Sequence, residues 1–96
     1  MSCSLSTHVL DTAAGRPAAG VTVELRRGAG SVAAAETDAD GRARLADGLG
    51  AGTYSLVFHP PSPFFTRVEL QVELEDGHYH VPLLVSPYGC ASYRGS

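Results

Sequence analysis

The chain has 96 residues, with seven basic side chains, all of them arginine, against ten acidic ones, for a net charge of -3. That balance excludes a sequence-independent grip on nucleic acid or on an anionic membrane surface. The length supports one modest core, near the size at which association begins to help, so a single domain over residues 1–96 is expected.

The first residues, MSCSLSTHVLDTAAG, carry no basic n-region and no apolar run. Neither a signal peptide nor a membrane span is expected, and the cytoplasm is the expected location. The absence of lysine beside abundant Ala, Gly, Arg and Pro has the look of a GC-rich bacterial genome. Two cysteines, Cys3 and Cys90, form neither a disulfide framework nor a CxxC metal motif and are expected as reduced thiols.

Strand periodicity runs through the whole chain. A first strand over Leu5 to Asp11 puts Leu5 and Val9 on one face, and Ser6, His8 and Leu10 on the other. VTVEL, within a strand from Val21 to Arg27, alternates Val21, Val23 and Leu25 against Thr22 and Glu24. Shorter runs follow at Val32 to Glu36 and Arg42 to Leu45, and TYSLVF, within Thr53 to His59, sets Tyr54, Leu56 and Phe58 together. In TRVELQVEL, part of an expected strand from Phe65 to Leu74, Val68, Leu70, Val72 and Leu74 face away from Glu69, Gln71 and Glu73. Two last strands are expected over Tyr79 to Val85 and Ser92 to Gly95. Turn signals separate the runs: AAGRPAAG, DADG, LGAG, HPPSP and EDGH. SVAAAETDA is alanine-rich but short and ends in turn residues, so no helix is expected there. Seven to eight short, half-buried antiparallel strands predict an all-β sandwich.

The polar faces carry the candidate chemistry. In HYHVPLLV, His78 and His80 share one face, while Tyr79, Val81, Leu83 and Val85 share the other. Two imidazoles on one strand face are a candidate metal or acid–base site, and also an ordinary surface arrangement. Pro82 cannot donate to a ladder, which suits an edge or an outward-turned nitrogen.

The stretch from GRPAAGVTVELRR to TDADGRARLADGLGAGTYSLVF resembles transthyretin-like and carboxypeptidase-regulatory-like sandwich modules, most of which bind or space rather than catalyse. LSTHVLDTAAGRPAAGV, TDADGR and HYHVPLLVSPYGCASYRGS together narrow the resemblance to the 5-hydroxyisourate-hydrolysing branch of the transthyretin-related family, over nearly the whole chain. The terminal Tyr93-Arg94-Gly95-Ser96 is its most specific signature, since hormone-carrying transthyretins lack it and the two histidines.

The resemblance implies a catalytic set of His8, Arg42, His80 and Ser96, with substrate bound by His8, Arg42, Tyr93, Arg94 and Gly95. It implies no cofactor, and a homotetramer built as a dimer of dimers with its sites at the dimer–dimer interface. Either histidine suits a base working near neutrality. Arg42 and Arg94 suit the oxyanion of a tetrahedral intermediate and the edges of a urate-like ring. Ser96 offers a hydroxyl and the α-carboxylate, and the sequence leaves open which is used. His78 is expected to support rather than perform chemistry. Arginines gathered near the histidines disfavour a dication, so no metal is expected. No Gly-x-Ser-x-Gly elbow is present, which points to direct attack by water.

HPPSP stands where family members carry a longer segment with a short helix, Cys90 where an aromatic residue is common, and Ala91 where a small hydroxyl residue is common. The alternatives are a non-enzymatic transthyretin-like module that binds a small ligand, and a spacer module of a secreted protein. The first gives no reason for His8, His80 and the terminal tetrapeptide to occur together, and the second predicts a signal peptide or flanking domains, neither of which is expected here.

Overall fold

In a computed structural model, which describes residues 2–95, ten strands and no helix form two facing sheets. In chain order they are β1 (Cys3–Asp11), β2 (Arg16–Pro17), β3 (Thr22–Arg27), β4 (Gly30–Glu36), β5 (Arg42–Leu49), β6 (Gly52–Phe58), β7 (Val68–Leu74), β8 (Gly77–His80), β9 (Leu83–Ser86) and β10 (Gly89–Ser92). One sheet runs β4-β3-β6-β7, antiparallel throughout. The other is organised around β1. The N-terminal part of β1 lies between antiparallel β5 and parallel β8, its C-terminal part between β2 and parallel β9, and β10 closes the far side.

The alternation of apolar residues decides which faces meet. Cys3, Leu5, Thr7 and Val9 of β1, Val23 and Leu25 of β3, Tyr54, Leu56 and Phe58 of β6, and Leu83 and Val85 of β9 are all buried between the sheets. Fully burying side chains of this size stabilises by about 1.5–3 kcal/mol each. At edge strand β7 only Leu74 is buried, and Val68, Leu70 and Val72 are half-covered. The outer side of the β1 sheet keeps Ser4, Ser6 and His8 accessible.

The differences from expectation have local causes. The run from Tyr79 to Val85 is one stretch of chain with a constant register against β1, interrupted at Val81-Pro82. Pro82 has no N–H to give, and two hydroxyls meet the neighbouring carbonyls instead: Thr7 Oγ1 donates to Val81 at 2.6 Å and Ser92 Oγ to Pro82 at 2.8 Å. Joining β8 to β9 and setting aside the two-residue β2 leaves the eight strands expected.

The last strand begins earlier than expected because Ser86-Pro87-Tyr88-Gly89 turns the chain into a β9–β10 hairpin, pairing Ser86 with Gly89 and Leu83 with Ser92. β4 starts at Gly30 because the chain reverses through Gly28 and Ala29, pairing Arg27 with Gly30. β7 starts at Val68, where its ladder with β6 ends at Phe58, so Phe65 to Arg67 have no partner strand. The proline-rich connection is held by Ser62 instead, whose Oγ accepts from the N–H groups of Phe64 and Phe65 and donates to the Pro87 carbonyl at 3.0 Å.

Candidate active site

The Asp38–Gly41 turn carries the first part of the site. The Asp38 carboxylate accepts the N–H groups of Asp40 at 2.9 Å and Arg42 at 3.0 Å, an Asx-type closure of the hairpin. The Arg42 N–H, aided by that of Asp40 and by the charges of Arg42 and His8, holds the Asp38 carboxyl below its ordinary pKa. Gly41 sits at φ +76, with its carbonyl accepting the Val9 N–H at 2.7 Å. A side chain there would place its Cβ 2.5 Å from the Val9 carbonyl oxygen and 2.9 Å from the Pro17 side chain. Glycine therefore lets the turn lie directly on β1, and two results follow. Arg42 starts β5 directly opposite His8, and the Asp40 carbonyl meets His8 Nε2 at 2.8 Å. A carbonyl only accepts, so His8 carries its proton on Nε2, and Nδ1 is the basic nitrogen of the neutral ring.

The second part comes from β8. Its parallel register sets His78 beside Ser4 and His80 beside Ser6, with both imidazoles on the side of the sheet that carries His8. Ser4 Oγ lies 2.7 Å from His78 Nδ1, Ser6 Oγ 3.0 Å from His78 Nε2, and the same Ser6 Oγ 2.9 Å from His80 Nδ1. Among the described residues nothing hydrogen-bonds His80 Nε2. Burial, then the charges of His8, Arg42 and His78, push the His80 pKa below the usual histidine value. Arg44, opposite Ser6, is held by a bidentate pair with Asp47, at 3.1 Å from Nε and 2.5 Å from a terminal nitrogen. The Arg42 guanidinium has no such partner among the described residues.

A depression of about 450 Å³ covers this face, lined by Ser6, Asp38, Arg42, Arg44, His78 and His80 among others. That volume suits one small ring compound. The site therefore offers two imidazoles with opposite nitrogens engaged and, among the described residues, a guanidinium with no carboxylate partner. Among the described residues no three His, Cys, Asp or Glu side chains converge as metal ligands. Cys3 and Cys90 are free thiols apart from this face, and burial raises the Cys90 pKa.

The tail divides. The Gly95 N–H donates to the His80 carbonyl at 2.6 Å, and a Cβ on Gly95 would lie 2.8 Å from His80 Cδ2, so the backbone packs against the imidazole only as glycine. Arg94 goes elsewhere: its guanidinium lies 4.4 Å from the centre of the Tyr79 ring, which strand alternation puts on the opposite face from His78 and His80. There it lines a groove of about 510 Å³ with Leu70, Val72 and Tyr79. Tyr93 is exposed. Ser96 lies outside the described residues.

The structure thus gathers His8, Arg42, His80 and Gly95, and leaves Tyr93 and Arg94 apart from them. Ser4 and Ser6 were not among the expected site residues. Their signal was present in CSLSTH, where the period of two that exposes His8 also exposes both serines.

A family model described as HIUase/Transthyretin family matches residues 5–95. A 5-hydroxyisourate hydrolase of Caulobacter vibrioides is 45% identical over an alignment 112 positions long, covering 96% of this chain and 97% of that protein. The structure of Klebsiella pneumoniae 5-hydroxyisourate hydrolase superposes with a TM-score of 0.89 at 39% identity, covering all of both chains. Sea bream transthyretin in complex with thyroxine superposes at 0.84 with 25% identity, covering 95% of this chain and 93% of that one.

Proposed function

This chain belongs to the HIUase/transthyretin family, and we propose that it acts within it as a 5-hydroxyisourate hydrolase of urate catabolism. The reaction opens the six-membered ring of 5-hydroxyisourate at its acyl–nitrogen bond and yields 2-oxo-4-hydroxy-4-carboxy-5-ureidoimidazoline. The observation that carries this reading is the placement of His8, Arg42 and His80 on one sheet face, with His8 paired to Arg42 across the ladder and Arg42 and His80 lining the depression. A transthyretin-like carrier has no need of that trio.

In the mechanism, His80 is the base. Its lowered pKa keeps the ring neutral at pH 7, Ser6 holds Nδ1, and Nε2 is left to take a proton from water. The water oxygen attacks the ring carbonyl, and the resulting oxyanion is met by Arg42, whose charge is not paired with a carboxylate among the described residues. Collapse breaks the carbon–nitrogen bond, and the proton held on His80 passes to the departing nitrogen. His8, fixed by Asp40, presents Nδ1 to a ring N–H and orients the substrate. Gly95 backs the His80 ring, and Ser96 belongs to the proposed set on the strength of the family signature.

Tyr93 and Arg94 are proposed as substrate ligands on the same ground. Arg94 reaches the histidine face only if the tail leaves its seat over Tyr79. We also propose the homotetramer: edge strands β7 and β10 and the half-covered row Val68, Leu70 and Val72 are surfaces that association would cover.

The test is the ultraviolet decay of 5-hydroxyisourate generated from urate by urate oxidase, with the protein and with its His8→Ala and His80→Ala variants. Acceleration that both variants lose supports the reading. A folded protein that leaves the decay unchanged overturns it in favour of a ligand-binding module.

A further inference from the structure

The outer face of β1 and β8 carries a hydrogen-bonded row of which the proposed reaction uses only the Ser6–His80 end. Ser4 Oγ, the His78 ring, Ser6 Oγ and the His80 ring are linked at 2.7, 3.0 and 2.9 Å, with one contact per ring nitrogen among the described residues except at His80 Nε2. His78 lies exposed at one end, while His80 is half-buried at the other. A hydroxyl has one proton to give, so Ser6 cannot donate to both rings at once. If it donates to His78 Nε2, it must accept from His80 Nδ1, and His80 then presents a bare Nε2 to the depression. If it donates to His80 Nδ1, it must accept from His78 Nε2, and His80 then carries its proton on Nε2. The two arrangements use the same contacts with every proton moved one place.

We infer that Ser6 and His78 form a proton relay that switches His80 between base and acid. The inference rests on the hydrolase reading above. When His80 Nε2 takes a proton from the attacking water, its Nδ1 proton passes to Ser6 Oγ as the Ser6 hydroxyl proton passes to His78 Nε2. His80 ends neutral with Nε2–H, and His78, protonated on both nitrogens, holds the positive charge. When His80 gives the Nε2 proton to the departing ring nitrogen, the shift runs backwards and the row returns to its first state. No proton is gained or lost by the row over the cycle.

The advantage is electrostatic. A charged His80 would face His8 from β1, Arg42 from β5 and His78 from its own strand. Moving the charge to His78 puts it where water solvates it. Ser4, at the far end, accepts the His78 Nδ1 proton and holds the ring in line. Ser6 and His78 are in these terms positioning residues that act through His80.

The experiment follows imidazole nitrogens by long-range 1H–15N NMR across pH, in the full chain and in Ser6→Ala, Ser6→Thr and His78→Gln variants, alongside turnover of 5-hydroxyisourate by each. The expected result is that the wild-type His80 ring holds its proton on Nδ1, and that its titration is coupled to that of His78. Ser6→Ala breaks the coupling, lowers kcat by about 10-fold or more out of the 100- to 10,000-fold that acid–base transfer supplies, and leaves KM nearly unchanged. Ser6→Thr, which keeps the hydroxyl, restores both. His78→Gln keeps a hydrogen bond to Ser6 but cannot take the charge, so kcat falls as in Ser6→Ala. Uncoupled titrations in the wild type, or a Ser6→Ala variant with unchanged His80 protonation and kcat, overturn the relay. The NMR arm reads the relay even where no variant and no wild type turns over 5-hydroxyisourate, a result that would refute the hydrolase reading alone.

Discussion

Replacing Gly41 by alanine tests the claim that the site is assembled by pressing a turn onto β1. The residue lies at φ +76, where a side chain costs about 1–2 kcal/mol through its clash with the following carbonyl. The new Cβ would also stand 2.5 Å from the Val9 carbonyl oxygen, 2.9 Å from Pro17 and 3.2 Å from the Ala18 nitrogen, two of which are backbone atoms with little freedom to yield. Overpacking of that kind costs about 1–3 kcal/mol more. Together the two effects come to about 2–5 kcal/mol, a large part of the stability of a domain this size. With a shift of about 4–8 °C per kcal/mol, Tm should fall by at least about 8 °C.

Gly15→Ala is the control, because its φ of +70 is similar and nothing lies within 4 Å of the added Cβ. Thermal unfolding followed by far-ultraviolet circular dichroism, at equal protein concentration, should therefore separate the steric part from the conformational part. The local consequence is a turn lifted from β1, with the Asp40 carbonyl drawn off His8 and that ring free to change tautomer. Equal Tm values for the two variants would refute the argument that the turn is wedged.

Thr7→Val keeps the shape of a fully buried side chain but strips the Val81 carbonyl of its donor, and should cost about 1–3 kcal/mol in urea unfolding, with Thr7→Ser recovering most of it. A cost below a few tenths would mean that the hydroxyl does not hold the break in the strand. Because the folded His80 pKa lies below the ordinary 6.5, its neutral form persists as pH falls through 6.5, so the acid limb of kcat/KM should lie below that pH. The same shift has a stability consequence of fixed sign: its contribution is complete above pH 6.5 and is lost as pH falls through the folded pKa, because the unfolded ring takes up its proton first. An activity limb above 6.5 would remove His80 as the base. Arg94→Ala should lower kcat/KM by about 10-fold or more if the tail leaves Tyr79 to meet substrate, in keeping with the loss of one charge-assisted contact. An unchanged value would confine Arg94 to packing on Tyr79.

Alternation was the readable part of this fold. Val21, Val23, Leu25, Tyr54, Leu56 and Phe58 announce their burial by a period of two, and each is buried. The same period places His8, Ser6, His78 and His80 outward, but it cannot say that β1 and β8 are neighbours. That pairing is parallel and joins opposite ends of the chain, so no local turn records it. The β9–β10 hairpin was hidden differently: Ser86-Pro87-Tyr88-Gly89 is a turn signal that an unbroken reading of the final residues passes over. Arg94 exceeds what a linear pattern holds, because a guanidinium can meet the aromatic face of Tyr79 or a polar ligand with equal chemical sense.

The parallel seam between β1 and β8 also sets an order of events in time. Ser6 and His80 are 74 residues apart, which at synthesis rates of 5–20 residues per second separates their appearance by about 4–15 s. During that interval β3, β4, β6 and β7 can pair with one another and β5 with β1, while the other edge of β1 stays open. Pairings this distant are slow to close, and an unpaired apolar strand is a template for other chains. The arrangement that places the histidines side by side therefore leaves the first-made strand with one edge unpaired until the chain is nearly finished, and chains cut short before His78 would carry that hazard permanently.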